Sequence, residues 1–371
     1  MQKIKLAMIV GDLNIHGISS VVVNYAVKLS KKNYEVTILA GIPIDDYYLE
    51  ICNNIKLSII ALPSRKKETV RYYSSLSKVL SSGYDIVHIH GNSATITGEL
   101  FLAWMHKIPV RIVHGHSSSC KHKLVDKILR PLFYKLSTGR CACSVKAGEW
   151  LFGNKSFEVV ENGFDVNTYQ FSMSARVGAR EELAITDRYV VGHIGRFNDE
   201  KNQEFLLQLF KEYAFINQES CLLLVGTGPN YNHIKNLVDN HPYKERIILY
   251  GESKETAKLY SAMDVFVFPS KHEGLGIVTL EAQINGLPCI VSDEVPKDVA
   301  LSDQITFLSL QEDKTEWLNM LDKYRGCIKD ADWLQKRKHM IVDNYNSIKR
   351  FEIRENVKKL DSFYKKEMSK S

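Results

Sequence analysis

The sequence lacks any long hydrophobic run. No stretch approaches the roughly 18 uninterrupted apolar residues that a membrane-spanning helix requires. The opening segment, MQKIKLAMIVGDLNIHG, has neither the apolar region nor the cleavage site of a signal peptide, and it predicts a first β-strand instead. We therefore expect a cytoplasmic protein.

Cysteine is present, but without the spacing of metal sites. The chain of 371 residues has seven cysteines, an odd number, and the closest two, Cys141 and Cys143, lie in the strand-like segment GRCACS. This pattern excludes a disulfide framework and indicates a reducing compartment, so we expect no bound zinc and no other metal. Low-complexity tracts are also absent, which argues against disorder.

The net charge is too small to identify a partner. A formal charge of +6 favours neither nucleotides nor lipids. Basic residues cluster in SRKK at 64–67 and in CKHKLVDKILRPLFYK at 120–135, but neither segment has the pattern of a nucleic-acid reader. We expect no nucleic acid as a partner.

Short apolar, β-branched runs alternate with helical patterns along almost the whole chain. This rhythm predicts parallel strands that are covered by helices on both faces of a sheet. It extends over residues 1–165, pauses in a polar interval, and resumes over 170–340. We predict an α/β protein with two doubly wound, Rossmann-like domains at 1–165 and 170–340, and helices at 341–371 that pack back on the N-terminal domain. If the domains face each other, loops at the strand ends line a cleft between them.

Two strand-end loops in the second domain carry candidate ligand-binding residues. Arg196 and Lys201 follow a predicted strand in VGHIGRFNDEKN, and such a pair of cations suits a diphosphate. Gly226 and Gly228 follow the next strand in LLLVGTGPN, where the backbone can approach a ligand closely. Solvation explains the two cations, and ordinary turn geometry explains the two glycines, about as well as ligand binding does.

The segment HEGLGIVTLEAQINGLPCIVSD places two glutamates eight positions apart. Helical spacing begins near Ile277, so Leu275 and Gly276 are expected at a helix N-terminus, where free amides attract phosphate. Glu273 then precedes the helix and Glu281 lies within it. Their carboxylates can accept hydroxyl hydrogen bonds at opposite ends of one extended ligand, as from ribose or hexose.

Together these residues resemble the motif of retaining glycosyltransferases of family four, which have the GT-B fold. The resemblance implies that Arg196 and Lys201 bind the donor diphosphate, that Glu281 binds the ribose hydroxyls, and that Glu273 binds the transferred sugar. Gly226, Leu275 and Gly276 join the donor site on the same basis.

The resemblance continues into the first domain. HGISS at 16–20 resembles the glycine-bearing turn that contacts donor phosphate and acceptor in this family, which assigns Gly17 to the donor site. HGHSSS at 114–119 carries His116 at the position of the family's active-site histidine, and ENGFD at 161–165 resembles its interdomain turn. Many members have two glycines and an acidic residue in the first turn, whereas this chain has His16, Gly17 and Ile18 there. This departure leaves the acceptor contacts open.

The implied activity is metal-independent transfer of a hexosyl or N-acetylhexosaminyl group from a nucleotide-diphosphate donor, expected to be a UDP-sugar, with retention at the anomeric carbon. Catalytic roles fall to His116, Glu273, Arg196 and Lys201, and no cofactor is needed beyond the nucleotide sugar. The acceptor class implied is a saccharide, linked to polyprenyl diphosphate, in capsule or exopolysaccharide synthesis at the inner face of the cell membrane.

An amphipathic pattern from Lys121 to Lys135 bears on membrane contact. Lys123, Lys127 and Arg130 lie off the apolar positions, and the pattern suits either an anionic membrane surface or packing into the first domain. Arg65, Lys66 and Lys67 are candidates for the same basic surface. The apolar positions are Leu124, Val125, Ile128, Leu129, Leu132 and Phe133.

Two alternative functions stay open. A non-hydrolysing UDP-N-acetylglucosamine epimerase shares the two-domain fold, and product analysis without an acceptor separates it from a transferase. A non-catalytic nucleotide-sugar-binding subunit of a transferase complex is the other alternative. The presence of both Arg196 and Lys201 together with both glutamates counts against it, and turnover by the purified protein decides.

Overall fold

A computed structural model describes residues 3–14, 17–117, 120, 122–311, 313–327 and 332–370. The chain folds as two compact units. Unit 1 comprises Met1–Asp165 and Arg350–Ser371, and unit 2 comprises Val166–Lys349. The sequence prediction placed the boundary after the second domain at 340/341. The division falls instead at 349/350, because the short helix that follows position 344 still packs against the helix before it.

The described residues of unit 1 form a seven-stranded parallel sheet in the order β3-β2-β1-β4-β5-β6-β7. Its strands are β1 (Ile4–Val10), β2 (Tyr34–Gly41), β3 (Ser58–Leu62), β4 (Ile86–His90), β5 (Val110–Gly115), β6 (Gly139–Ala142) and β7 (Glu158–Val159). Its helices before the crossing to unit 2 are α1 (Gly17–Ser30), α2 (Asp46–Asn54), α3 (Thr69–Leu80), α4 (Thr97–Met105), α5 (Lys123–Leu136) and α6 (Val145–Phe152).

The described residues of unit 2 form a six-stranded parallel sheet in the order β10-β9-β8-β11-β12-β13. Its strands are β8 (Tyr189–Ile194), β9 (Ser220–Val225), β10 (Ile247–Gly251), β11 (Val265–Phe268), β12 (Cys289–Ser292) and β13 (Ile305–Leu308). Its helices are α7 (Met173–Glu182), α8 (Gln203–Ile216), α9 (Tyr231–Asp239), α10 (Thr256–Ala262), α11 (Ile277–Ile284), α12 (Thr315–Cys327), α13 (Trp333–Asp343) and α14 (Tyr345–Ile348).

Both sheets are buried on their two faces, as the continuous apolar runs predict. Every residue of β8, β9, β11 and β12 is buried, because helices cover the sheet from both sides. The prediction of two doubly wound, Rossmann-like parallel sheets is confirmed.

The chain returns to unit 1 through α15 (Ile353–Met368). Asp361 of this helix accepts hydrogen bonds from the hydroxyl of Tyr34, at 2.7 Å, and from the ammonium of Lys32, at 3.1 Å. Leu360 and Tyr364 are fully buried in unit 1. These contacts make α15 part of the core of unit 1.

Among the helices that the structure describes, none combines the length and the apolarity that a bilayer crossing requires.

Candidate active site

In unit 2 the strand order reverses between β8 and β11, which are neighbours in the sheet. Open α/β sheets bind ligands beyond the carboxyl ends of the strands at such a switch point. The loop after β8 contains Arg196 and Lys201, and the loop after β11 contains Glu273. The fold therefore brings both predicted loops to the position where a ligand is expected.

Lys201 and Glu273 form an ion pair across these two loops, although they lie 72 positions apart in the chain. The carboxylate of Glu273 is buried, and its Oε1 also lies 2.7 Å from the hydroxyl of Ser270. The loops are joined directly as well, because the Lys271 amide donates to the Glu200 carbonyl at 2.7 Å. The position of the ion pair is therefore fixed, and the pair places one cation and one carboxylate at the switch point of the sheet.

Arg196 is exposed, and its guanidinium makes no hydrogen bond or ion pair with any residue that the structure describes. Its backbone is nevertheless fixed, because the side-chain amide Nε2 of Gln203 donates to the Arg196 carbonyl at 3.1 Å. Arg196 therefore combines an anchored main chain with five uncommitted side-chain donors, which suits the binding of an external anion.

His193 supports the same loop from inside the sheet, and the sequence pattern did not indicate it. Its Nδ1 lies 3.0 Å from the Val267 carbonyl, so this nitrogen carries the proton and Nε2 accepts from Gln203 at 3.2 Å. Burial, with a smaller contribution from the charge of Lys201, lowers the pKa of His193 to about 4. The ring is therefore neutral near pH 7 and has a positioning role.

Glu281 lies on α11, partly buried, and does not contact Glu273 in the described contacts. The hydroxyl of Tyr260 donates to Glu281 Oε2 at 2.9 Å. Burial raises the pKa of Glu281 to about 7, and hydrogen bonds from Tyr169 and Tyr260 oppose this rise only in part. The two tyrosines orient the carboxylate, and sequence reasoning missed them because they precede it by many residues.

The raised pKa of Glu281 predicts a pH-dependent stability. The folded state holds the proton up to about pH 7, whereas the unfolded chain releases it near its ordinary pKa of 4.5. Between these values the folded state binds more protons, so the free energy of unfolding falls as pH rises. Glu281→Gln, which stays uncharged, should have a higher Tm than the unmodified protein at pH 8 and a similar Tm at pH 4.

Thermal unfolding between pH 4 and pH 8 checks this prediction. Glu252→Gln, which changes an exposed glutamate, is the control and should follow the unmodified protein throughout. If the Tm of Glu281→Gln also equals that of the unmodified protein at every pH, the raised pKa is contradicted.

Backbone conformation and close packing account for the glycines of the site. Gly276 has φ of +81° and precedes α11, so the predicted helix N-terminus lies where expected. A Cβ on Gly226 would lie 2.0 Å from the Gly195 carbonyl oxygen. Close packing of two strand ends is therefore sufficient to explain Gly226, without any ligand. Leu275 is buried and can offer a ligand only its backbone.

Thr279, in the first turn of α11, is a feature that the sequence pattern did not indicate. Its side chain is fully buried, and its hydroxyl has no hydrogen-bond partner among the described residues. A hydroxyl at this place adds a donor beside the free amides of the helix N-terminus.

In unit 1, His116 is buried and both its ring nitrogens have protein partners. Nδ1 lies 3.0 Å from Asn162 Oδ1, and Nε2 lies 2.9 Å from His90 Nδ1. Burial lowers its pKa to about 4, so the ring is neutral near pH 7. This arrangement leaves neither nitrogen free, and the predicted role of His116 with the sugar stays a prediction.

Parts of two predicted motifs lie outside the described residues. Gly17 begins α1, but His16, beside it in the predicted phosphate-binding turn, is outside them. Ser118 and Ser119, which follow His116, are also outside them.

Comparisons with known proteins agree with this architecture. A family model described as Glycosyltransferase Family 4 matches residues 15–168, and one described as Glycosyl transferases group 1 matches residues 178–323. The putative glycosyltransferase EpsF of Bacillus subtilis (strain 168) is 32% identical over 245 residues, which cover 62% of this chain and 63% of that protein. The match thus spans slightly less than two thirds of this relative.

A second relative matches over a longer region. The UDP-Gal:alpha-D-GlcNAc-diphosphoundecaprenol alpha-1,3-galactosyltransferase of Escherichia coli is 28% identical over 320 residues, covering 81% of this chain and 79% of that protein. Among solved structures, HepE of Anabaena in complex with UDP and glucose has a TM-score of 0.79 at 16% identity, covering 97% of this chain and 98% of that one. The structural similarity confirms the predicted GT-B fold.

Proposed function

The chain belongs to the glycosyltransferases that combine a Glycosyltransferase Family 4 domain with a Glycosyl transferases group 1 domain, and we propose that it transfers a hexosyl or N-acetylhexosaminyl group from a UDP-sugar to a saccharide. The observation that carries this proposal is the pairing of Lys201 with the buried Glu273 at the switch point of unit 2. The same loop contains Arg196, which has no ion-pair partner among the described residues. The structurally similar HepE, solved in complex with UDP and glucose, supports the choice of nucleotide.

The proposed donor site uses groups of opposite charge for different parts of one ligand. Arg196, Lys201 and the amides at the start of α11 stabilise the diphosphate as it leaves with negative charge. Glu273 accepts hydrogen bonds from the sugar, and Glu281 accepts them from the ribose. Because Lys201 contacts Glu273, the cation lies next to the carboxylate that positions the transferred group, as departure of the diphosphate requires.

The proposed transfer retains the anomeric configuration. A leaving diphosphate oxygen deprotonates the acceptor hydroxyl on the same face of the sugar, the C–O bond to the diphosphate breaks, and a C–O bond to the acceptor forms. The proton ends on the diphosphate. This route needs no enzyme nucleophile, and it gives Arg196 and Lys201 the electrostatic role that a metal has in other transferases.

The acceptor that we propose is a saccharide linked to polyprenyl diphosphate, used in cell-surface polysaccharide synthesis. The name of the E. coli relative, which specifies a diphosphoundecaprenol-linked acceptor, supports this class.

Product analysis tests the proposed function. Purified protein is incubated with a panel of UDP-sugars, with and without GlcNAc-diphosphate-lipid acceptors, and products are identified by mass spectrometry and by NMR of the new anomeric centre. A retained α-linkage from an α-linked donor supports the proposal. An epimerised donor without acceptor indicates the epimerase, and no turnover with any donor indicates a binding subunit.

Metal independence gives a separate prediction. Because cations of the chain neutralise the diphosphate in this proposal, activity is expected to persist in EDTA at a level close to that of the untreated enzyme. Initial rates with EDTA, and after adding manganese or magnesium, check it. A loss in EDTA that manganese restores would contradict the proposed role of Arg196 and Lys201.

We also propose contact with an anionic membrane through α4 and α5, which pack against each other. Leu124 and Ile128 of α5 are 71% and 68% exposed, and Trp104 of α4 is 52% exposed. These side chains and four more exposed ones form what we call the apolar patch: Phe101, Trp104, Met105, Leu124, Val125, Ile128 and Leu132. Lys123 and Lys127 are exposed on α5, so the patch carries positive charge, as an anionic interface favours.

The structure corrects the assignment of two cations, Arg130 and Arg65, to this surface. Arg130 pairs with the buried Asp126 at 2.7 Å and donates to the Trp150 carbonyl at 3.0 Å, so it joins α5 to α6. Arg65 pairs with the buried Glu99 at 2.8 Å. Both therefore have structural partners, and Lys123 and Lys127 are the better candidates for lipid contact.

Flotation with phosphatidylglycerol vesicles checks the membrane contact. Lys123→Glu combined with Lys127→Glu should reduce binding at low salt, because each cation near an anionic surface contributes about 1 kcal/mol. Leu124→Ser combined with Ile128→Ser should reduce it at any salt concentration. Lys211→Glu combined with Lys244→Glu, two exposed lysines of unit 2, is the control. No binding by the unmodified protein at low salt would refute the contact.

A further inference from the structure

Four histidines form a buried cluster in unit 1, and only one of them belongs to the predicted active site. His88 and His90 alternate along β4, so both side chains project from the same face of the sheet. His114 on β5 is the register partner of His90, and His116 follows two positions later. The rings stack, with centroids 4.2 Å apart for His88 and His90 and 4.3 Å apart for His114 and His116.

The hydrogen bonds of the cluster determine which nitrogens carry protons. With Asn162 Oδ1 facing it, His116 Nδ1 is the donor, and His116 Nε2 must then accept from His90 Nδ1. His90 Nε2 is therefore left with a lone pair. His114 Nε2 donates to the Val160 carbonyl at 3.1 Å, which leaves a lone pair on His114 Nδ1.

The remaining member of the cluster is His88, whose Nδ1 lies 2.6 Å from the hydroxyl of Tyr364. Three ring nitrogens remain buried without any partner in the described structure: His88 Nε2, His90 Nε2 and His114 Nδ1. One ligand atom from each of these residues lies within 4.8 Å of those of the others. Buried polar atoms are rarely left unpaired, so three together indicate that something binds them.

We propose that His88, His90 and His114 form a binding site for a divalent transition-metal ion, with Zn²⁺ the best match. Imidazole nitrogen is a preferred zinc ligand, and metal-binding histidines donate their other ring nitrogen to an oxygen or a further acceptor. His114 already does so to Val160 and His90 to His116. When His88 donates to Tyr364 it completes the same pattern.

The tautomers of the cluster agree with metal binding. A metal binds an imidazole through a ring lone pair, and the hydrogen bonds to His116 and Val160 leave such lone pairs on His90 Nε2 and His114 Nδ1. Zinc–nitrogen bonds of about 2.0–2.1 Å place ligand nitrogens about 3.4 Å apart in a tetrahedral site, and the ligand atoms of the three histidines lie within 4.8 Å of one another.

The consequence is structural and independent of the proposed transfer. The ion joins β4 to β5 directly, and it joins both strands to α15 through the hydroxyl of Tyr364. It lies in unit 1, whereas Arg196, Lys201 and Glu273 belong to unit 2. Failure of this proposal therefore leaves the proposed transferase activity untouched, and EDTA-resistant activity does not contradict it.

The test is metal binding by the whole, tag-free protein. Protein is stripped with a chelator, titrated with Co²⁺ and Zn²⁺, and measured by ligand-field absorbance, elemental analysis and thermal unfolding. We expect one ion for each chain, a cobalt ligand-field spectrum and a rise in Tm. Tyr364→Phe, which removes only the hydroxyl beside His88, should weaken metal affinity by about 10- to 100-fold.

Variants separate this site from surface binding. His90→Gln and His114→Gln should abolish the cobalt spectrum, whereas His233→Gln and His339→Gln, which change exposed histidines, should keep it. If the buried variants fail to fold, the Tyr364→Phe titration still decides. No stoichiometric metal on the unmodified protein, as expected if water fills the site, would overturn the proposal. So would equal affinity in the unmodified and Tyr364→Phe proteins.

Discussion

Lys201→Ala is expected to lower the turnover of the proposed transfer by on the order of a hundredfold, the scale for removing one preorganised donor to a developing charge. The loss should fall mainly on kcat, because negative charge on the diphosphate increases in the transition state. Steady-state kinetics with the preferred UDP-sugar measure it. Arg196→Ala should give a loss of similar size, since both cations act on the same leaving group.

The two variants should differ in stability. Lys201→Ala leaves the buried carboxylate of Glu273 without its cation, so its Tm should fall, whereas Arg196 is exposed and has no ion-pair partner among the described residues. Lys271→Ala is the matched control, because this exposed lysine lies in the neighbouring loop of Glu273 and contacts the loop of Lys201 through its backbone amide, which the substitution keeps. Near-normal turnover in both Lys201→Ala and Arg196→Ala would refute the diphosphate assignment.

Arg337→Met should have the largest effect on stability, a loss of roughly 1–3 kcal/mol for each buried carbonyl oxygen that is left without a donor. Arg337 is 2% exposed and donates to the carbonyls of Met263, at 2.9 Å, and Tyr260, at 3.1 Å. It also donates to the backbone and side chain of Asn285. One cation thus satisfies the carboxyl ends of α10 and α11, where carbonyl oxygens lack partners within the helix.

Urea denaturation measures the loss, and Lys338→Met is the control, since this adjacent lysine is exposed. Donor affinity should fall together with stability, because Tyr260 links the Arg337 network to the carboxylate of Glu281. An Arg337→Met protein as stable as the control would show that these carbonyls find other partners. A stable variant with weakened donor binding would still identify Arg337 as a positioning residue.

The sequence contained most of the fold, because buried parallel strands require continuous apolar runs and these are visible without a structure. The strand before Glu273 and the helix that begins at Ile277 both lie where the pattern placed them. The pairing of Lys201 with Glu273 was not predictable, since residues 72 positions apart meet only through the order of strands in the sheet.

Periodicity also could not decide which side of α5 faces the protein. Apolar residues cover more than one stripe of this helix, and Phe133 and Leu136 face the core while Leu124 and Ile128 face solvent. Likewise, a spacing of two in HIH places His88 and His90 on one face, but only the register with β5 adds His114 to them. Which residues share a buried face therefore depends on partners that are distant along the chain.

The return of α15 to unit 1 has a consequence for synthesis on the ribosome. Unit 2 is one continuous segment and can complete its core as soon as it has emerged. Unit 1 is synthesised first, yet it lacks Asp361 and Tyr364 until the whole of unit 2 has followed it. Tyr34 and His88 must wait for these partners, so the N-terminal segment stays incomplete longest and has the greatest need of protection by chaperones.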